Sequence, residues 1–195
     1  LPHTIHFHTN NLGKPGNYAT TMETMKCVED LARGEKPAMH VTHCQFSAFK
    51  GEDWKTLEPG TEEIANYVNG HSHVTMDMGQ VVFTDTTTMT ADGPFQYGLY
   101  GLTGNKWANH DVETETSAGI VPFRYRRKNY VPSVQWAIGL ELALLIKDPW
   151  KILMTTDHPN GAPFTSYPHL IRLLTDRAFR NQVFETLNPE ARAAS

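Results

Sequence analysis

Four times along this chain a short apolar or β-branched run is followed by a turn-rich loop and then by a stretch with helical punctuation. That alternation leaves few folds open. HTIHFHT (3–9) reads as a strand, and the Gly/Pro/Asn loop NNLGKPGN leads from it to a helix. There Thr20 and Glu23 have capping-box spacing, and Gly34 supplies a stop. PAMHVTHCQF (37–46) is a second strand, and the short helix TEEIANYVN after it begins at a candidate cap, Thr61, and ends before Gly70. HVTMDMGQVVF (73–83) is a third strand, whose helix, about 133–147 with Pro132 just ahead, arrives only after a long excursion. In KILMTTD (151–157) the run Ile152-Leu153-Met154 reads as a short buried strand. A helix from about Ser166, with Pro168 in its first turn, follows it, and TDRAFRNQVFETL supplies one more. Strands alternating with helices imply a parallel sheet covered by helices, an α/β fold.

In such folds the working residues sit at the carboxyl ends of the strands. His6 and His8 end the first strand, His40 and His43 lie near the end of the second, and Asp157 ends the fourth, so chemistry gathers on one rim. Alternation of side chains puts His6 and His8 on one face and His40 and His43 on opposite faces. Proximity to the loops selects His8 over His6 and His43 over His40. Neutral imidazole suits zinc and similar divalent ions, with a carboxylate completing the set. Such an ion acidifies a bound water, which gives Asp157 either a ligand's role, a proton acceptor's role, or both. The plainer readings stand beside this one. A histidine beside a strand commonly bonds to backbone, and Asp157 before His158-Pro159-Asn160-Gly161 also suits a loop cap. His71, His73 and His158 are assigned to structure or to supporting the site residues from behind. Asn10, Asn11 and Asn160 are candidates for binding substrate, with turn formation the alternative for Asn10 and Asn11.

Residues 84–131 are too long for a structureless loop in a compact domain. They read as an inserted subdomain or subunit contact, or alternatively as a lid or substrate channel. Within them Arg124, Arg126, Arg127 and Lys128 suit an anionic ligand, a partner subunit or a solvated face. The 17 Lys+Arg against 21 Asp+Glu, a net charge of −4, argue against a nucleic-acid surface or a polybasic membrane anchor. The longest apolar stretch, IGLELALLI, is broken by Glu141 and is too short for a membrane span. Cys27 and Cys44, far apart and in no C-x-x-C pair, fit a reducing, cytoplasmic compartment. No signal peptide is visible, and the chain begins at Leu1 rather than Met. No His-Glu-x-x-His, Walker, dinucleotide or Gly-x-Ser-x-Gly motif competes, so the residues support a metal-dependent hydrolase.

The segments IHFHTNNLGKPGNY, MHVTHCQFSAFKG and TTDHPNGAPFTSYPHLIRLLTD, in that order, resemble the A subunits of formylmethanofuran dehydrogenases. They are similar also to the alpha subunits of bacterial formyltransferase/hydrolase complexes. The resemblance runs through essentially the whole chain and implies the amidohydrolase superfamily, whose (β/α)8 barrels carry a dinuclear metal centre. It implies that the chain forms about the last four β/α units of such a barrel, with an insertion at about 84–131. It also implies His8 as the fifth-strand metal ligand, His43 as the sixth-strand ligand and Asp157 as the eighth-strand ligand. Asp157 would further act as general base, taking a proton from the attacking water and returning it to the leaving amine. The remaining family ligands, a first-strand His-x-His and a carboxylated lysine, have no counterpart before His8. A complete barrel needs about 250 residues, so the expectation is a fragment of a longer subunit, inactive alone, whose parent holds two zinc ions. The implied reaction is hydrolysis, or reversible formation, of the N-formyl amide of formylmethanofuran or its analogue, giving formate and free amine. Partner subunits and a methanofuran-type carrier follow from the same likeness. The wording of HFHTNN and VTHCQFSAFKG leans towards the bacterial complex. A cyclic-amide hydrolase of the hydantoinase or dihydroorotase type, and a non-catalytic scaffold barrel, are the rival readings.

Overall fold

The computed structural model describes residues 3–31, 36–90, 101, 108–110 and 118–195. Strand β1 (Ile5–Phe7) is followed by helix α1 (Tyr18–Lys26), then β2 (Met39–Val41) and a short antiparallel pair, β3 (Phe49–Lys50) and β4 (Glu58–Pro59). Helix α2 (Thr61–Gly70) leads into β5 (Val74–Asp77). Three strands come next: β6 (Asp85–Thr90), β7 (Ala108–His110) and β8 (Ala118–Arg124). Helix α3 (Tyr130–Leu145), strand β9 (Ile152–Leu153) and helices α4 (Tyr167–Thr175), α5 (Arg177–Glu185) and α6 (Pro189–Ala194) complete the order.

The four strands anticipated from the alternation form one parallel sheet in the order β1-β2-β5-β9. Register explains which face is apolar. Met39 lies beside Val74, and Val41 beside Phe7 and Met76. These residues pack under α1, α2 and α3 with Met25, Ile64, Val68, Ile138 and Leu142. His6, His40 and Thr75 share one rung of the other face, and Asp77 and Leu153 share a later one. A second cluster, Trp136, Leu140, Leu173, Val183 and Leu187, joins α3 to the carboxyl-terminal helices.

Several local expectations change. The strands are only 2 to 4 residues long, because the chain turns out of the sheet soon after the apolar pair in each run. The run Ile152-Leu153-Met154 forms a strand over its first two residues and is only partly covered: Ile152 packs against the core, whereas Leu153 is 49 % exposed, since it faces away from the helices on a strand at the sheet edge. Ile5, on the opposite edge strand, is 38 % exposed. Thr20 does not cap α1, which starts two residues earlier at Tyr18. The side chain at its true cap, Asn17, is spent across the loops. It donates to the Phe46 carbonyl at 2.8 Å and the Asn11 carbonyl at 3.0 Å, and accepts from the Phe49 N–H at 2.9 Å. Thr61 begins α2 rather than capping it, and its hydroxyl donates to Glu141 on α3. Asp176, by contrast, caps α5 through its side chain. Gly34 lies outside the described residues.

Part of the 84–131 excursion also lies outside them. The described remainder holds an antiparallel sheet in the order β6-β8-β7. Two of the cations flagged there are engaged locally. Arg124 pairs with Asp85 across β6 and β8, and Arg127 lies 5.5 Å from the Phe83 ring centroid and donates to Thr186 at 3.3 Å. No helix among the described residues is long and apolar enough to cross a membrane.

Candidate functional site

Each parallel strand ends by delivering a polar residue to the same rim. His8 follows β1 directly. After β2 the chain does not continue as a strand to His43. Thr42 closes onto β1, its N–H reaching the Phe7 carbonyl at 2.9 Å and its hydroxyl the same oxygen at 3.0 Å. His43 then takes a left-handed backbone, φ +36°, and opens a 3-10 turn over Cys44–Ser47. Strand alternation therefore does not govern it, and its ring turns back to His8. His43 Nε2 and His8 Nδ1 are 2.8 Å apart. The pair chosen by proximity to the loops is the pair the fold brings together. His6 meets His40 edge to face, with centroids 5.1 Å apart, and stacks on His8 at 5.8 Å.

Close approach of β5 to this turn depends on Gly79, φ +63°, where an added Cβ would stand 2.7 Å from both Cα and Cβ of His43. A Gly79→Ala variant is expected to lose about 1–3 kcal/mol of stability. Gly70→Ala, with nothing within 4 Å, is expected to be near neutral; chemical unfolding of the two side by side checks this.

Asp157 arrives at the rim from β9, also with a left-handed backbone, φ +47°. Among the described residues only three non-glycine positions have positive φ: Asn11, His43 and Asp157. Such conformations cost free energy and persist where the surroundings hold them, which is the usual situation at working sites. Burial pushes the Asp157 carboxyl up to about 6. The Asn160 hydrogen bond opposes the rise, Asp77 adds to it, and His8 opposes it. Asn160 thus turns inward, donating from Nδ2 to Asp157 Oδ2 at 3.0 Å. Asn11 serves the turn before Gly13: its carbonyl accepts from Asn17 and its side chain donates to Thr20 at 3.3 Å. Asn10 is exposed beside His8.

One residue not nominated from the sequence stands at the centre. Asp77, 7 % exposed, ends β5 as Asp157 follows β9. Its Oδ1 accepts the His43 N–H at 2.9 Å and the Thr155 hydroxyl, and its Oδ2 faces His40 Nε2 at 3.2 Å. Burial alone would raise its pKa, but the bonds from His40, Thr155 and His43 outweigh that and hold it below the usual carboxylate value. The rule that flagged Asp157, an acid at a strand's carboxyl end, applies equally to VTMD and is the signal that could have found it. His71 and His73 sit before β5, at the opposite end of the sheet, with Tyr67 and Glu29. His158 stacks on Phe164 at 4.0 Å.

The donor types suit a divalent cation: two imidazoles in contact, one of them kept neutral by burial, with a carboxylate at the same rim. His43 Nδ1 is buried without a hydrogen-bond partner. Among the described residues no three His, Cys, Asp or Glu side chains form a group able to hold an ion. The residues fit as part of a centre, with further ligands required from elsewhere.

Comparison with known proteins places this rim in context. Residues 2–194 match the model of the amidohydrolase family. The chain is 53 % identical over 187 residues to protein FwdA of Methanocaldococcus jannaschii, covering 93 % of this chain and 33 % of that protein. It is 39 % identical over 193 residues to the FhcA component of the formyltransferase/hydrolase complex Fhc of Methylorubrum extorquens, covering 96 % of this chain and 34 % of that protein. The identity is thus higher to the Methanocaldococcus protein, and the lean of HFHTNN and VTHCQFSAFKG towards the bacterial complex is not upheld. The crystal structure of the M. extorquens complex FhcABCD with methylofuran superposes with a TM-score of 0.86 at 38 % identity, covering 100 % of this chain and 35 % of that one. The chain spans about a third of the length of these relatives. A parallel α/β sheet with its chemistry on one rim, matched from end to end, leaves one conclusion: the chain belongs to the amidohydrolase family.

Proposed function

We propose that this chain supplies one side of a (β/α)8 barrel in a metal-dependent amidohydrolase acting on a linear formyl amide. The substrate is formylmethanofuran or an analogous carrier, and the products are formate and the free amine. The observation that carries this is the His8–His43 contact at 2.8 Å on the rim that Asp157 shares, in a chain similar throughout to FwdA and FhcA. The Methylorubrum relative assembles in a formyltransferase/hydrolase complex, and the superposed structure holds methylofuran, which favours a formyl carrier over a cyclic amide.

His8, His43 and Asp157 would hold part of a divalent centre, zinc in our reading and dinuclear in the complete barrel, the other ligands coming from strands outside this chain. When bound, the ions polarise the formyl carbonyl and acidify water. Burial keeps His43 in the neutral form that ligates. Asp157, with its proton affinity raised towards neutrality, takes one proton from the attacking water and delivers it to the departing nitrogen as the C–N bond breaks. Asn160 holds the carboxylate's orientation through Oδ2. Asn10, exposed on the loop directly after His8, is the candidate for meeting the substrate's polar groups, Asn11 being spent on the turn. The edges at β1 and β9 would pair with the missing strands, covering Ile5 and Leu153. The antiparallel sheet within residues 84–131 is an insertion serving the mouth or a partner subunit. The location is cytoplasmic.

The test is metal analysis and formate release with the full-length protein in its complex. Stoichiometric zinc and formate from an N-formyl carrier, with no action on hydantoin or dihydroorotate, are the expected results. Turnover of the cyclic amides alone, or a metal-free protein that binds only partner subunits, would overturn the proposal.

A further inference from the structure

The bonding of Asp77 goes beyond what a buried core acid requires. It ties its own strand end, β5, to two others: to β2 through His40 and through the His43 N–H of the turn that follows, and to β9 through Thr155. Thr155 is itself fully committed. Its hydroxyl donates to Asp77 and accepts the Gly79 N–H at 2.9 Å, so the turn that makes room for His43 is fastened to the same knot. Thr155 stands two residues before Asp157, and Asp77 bonds directly to the backbone of His43. The two rim residues with strained backbones, approached from different strands, are thereby held to one carboxylate.

We infer that Asp77 is a positioning residue that fixes the spacing between His43 and Asp157 by bridging the turn after β2 to the end of β9. It touches no reacting atom: Oδ1 is occupied by two donors and Oδ2 faces His40. What holds the geometry is hydrogen-bond acceptance, which does not require the charge. Asn in its place keeps an oxygen for the His43 N–H and the Thr155 hydroxyl, and its amide donates to His40 Nε2 once His40 carries its proton on Nδ1, facing Thr75 at 3.0 Å. Ala keeps none of these. The inference rests on the reading that His43 and Asp157 work together.

The experiment compares Asp77→Ala, Asp77→Asn and Thr155→Val in the full-length protein in its complex, by kinetics and by hydrogen–deuterium exchange of peptides covering 42–48 and 152–161. Asp77→Ala is expected to lower kcat at least about 30-fold, with KM within about threefold, and to speed exchange in both peptides. Asp77→Asn is expected to stay within about fivefold of the parent, with exchange protected. Asn as poor as Ala would mean that the charge matters, and Ala within a few-fold of the parent would mean that the bridge does not; either overturns the inference. If Asp77→Ala fails to assemble, Thr155→Val decides: unchanged exchange at 152–161 overturns the bridge. A parent protein that releases no formate refutes the proposed function instead, and the exchange comparison still decides the role of Asp77.

Discussion

Asp157→Asn in the full-length protein is expected to cut turnover about a hundred- to ten-thousand-fold while leaving the fold intact. The reaction as proposed moves one proton from water to the leaving nitrogen, and an amide cannot carry it. The carboxyl of Asp157 suits that traffic, because burial pushes it up to about 6 against the opposing bond from Asn160. The fold should tolerate the change for two reasons. Asn is among the few residues that adopt left-handed backbone readily, and position 157 sits at φ +47°. Its amide oxygen can turn to the Asn160 Nδ2 that now donates to Oδ2 at 3.0 Å. Steady-state formate release, with thermal unfolding as the control, reads the outcome. Turnover within a few-fold of the parent would remove Asp157 from the proton path.

The second large effect concerns the imidazole pair. His8→Ala and His43→Ala are each expected to lower bound metal and to reduce kcat/KM by more than about 100-fold, with His6→Ala within a few-fold of the parent. The contrast with His6 is the informative part. His6 and His8 share a face by alternation, yet only His8 lies 2.8 Å from His43, while the His6 ring stacks on His8 and meets His40. His43→Ala leaves the backbone N–H that Asp77 accepts, so the knot at the rim survives and the loss is that of a ligand. Metal content measured after dialysis, beside activity with and without added zinc, separates the three variants. Equal losses at His6 and His8 would show that proximity to the loop chose wrongly.

The parallel sheet, its four strands and its helices were readable because apolar period and loop punctuation act locally: Met39-x-Val41 and Val74-x-Met76 alternate in the sequence as they do in the sheet. Caps were less readable. The spacing of Thr20 and Glu23 satisfies a local rule, but Asn17 one turn earlier ends the contest, its side chain drawn to Phe46 and Phe49, residues far along the chain. The burial expected of Leu153 failed for a different reason. Hydrophobicity says that a side chain prefers cover, not whether the neighbouring strand is present to provide it, and β9 lies at the sheet edge.

For the site, residue type and position at a strand's end were enough to nominate His8, His43 and Asp157, since imidazole and carboxylate chemistry belongs to the side chain itself. Only the tertiary structure could bring His43 round to His8. That depends on a left-handed turn at His43, on the missing side chain of Gly79 pressed against it, and on Asp77 accepting its N–H from another strand. Those are contacts between segments more than thirty residues apart, set by how strands are ordered in space. Local sequence carries the chemistry of each group, whereas distance and direction between groups come from packing.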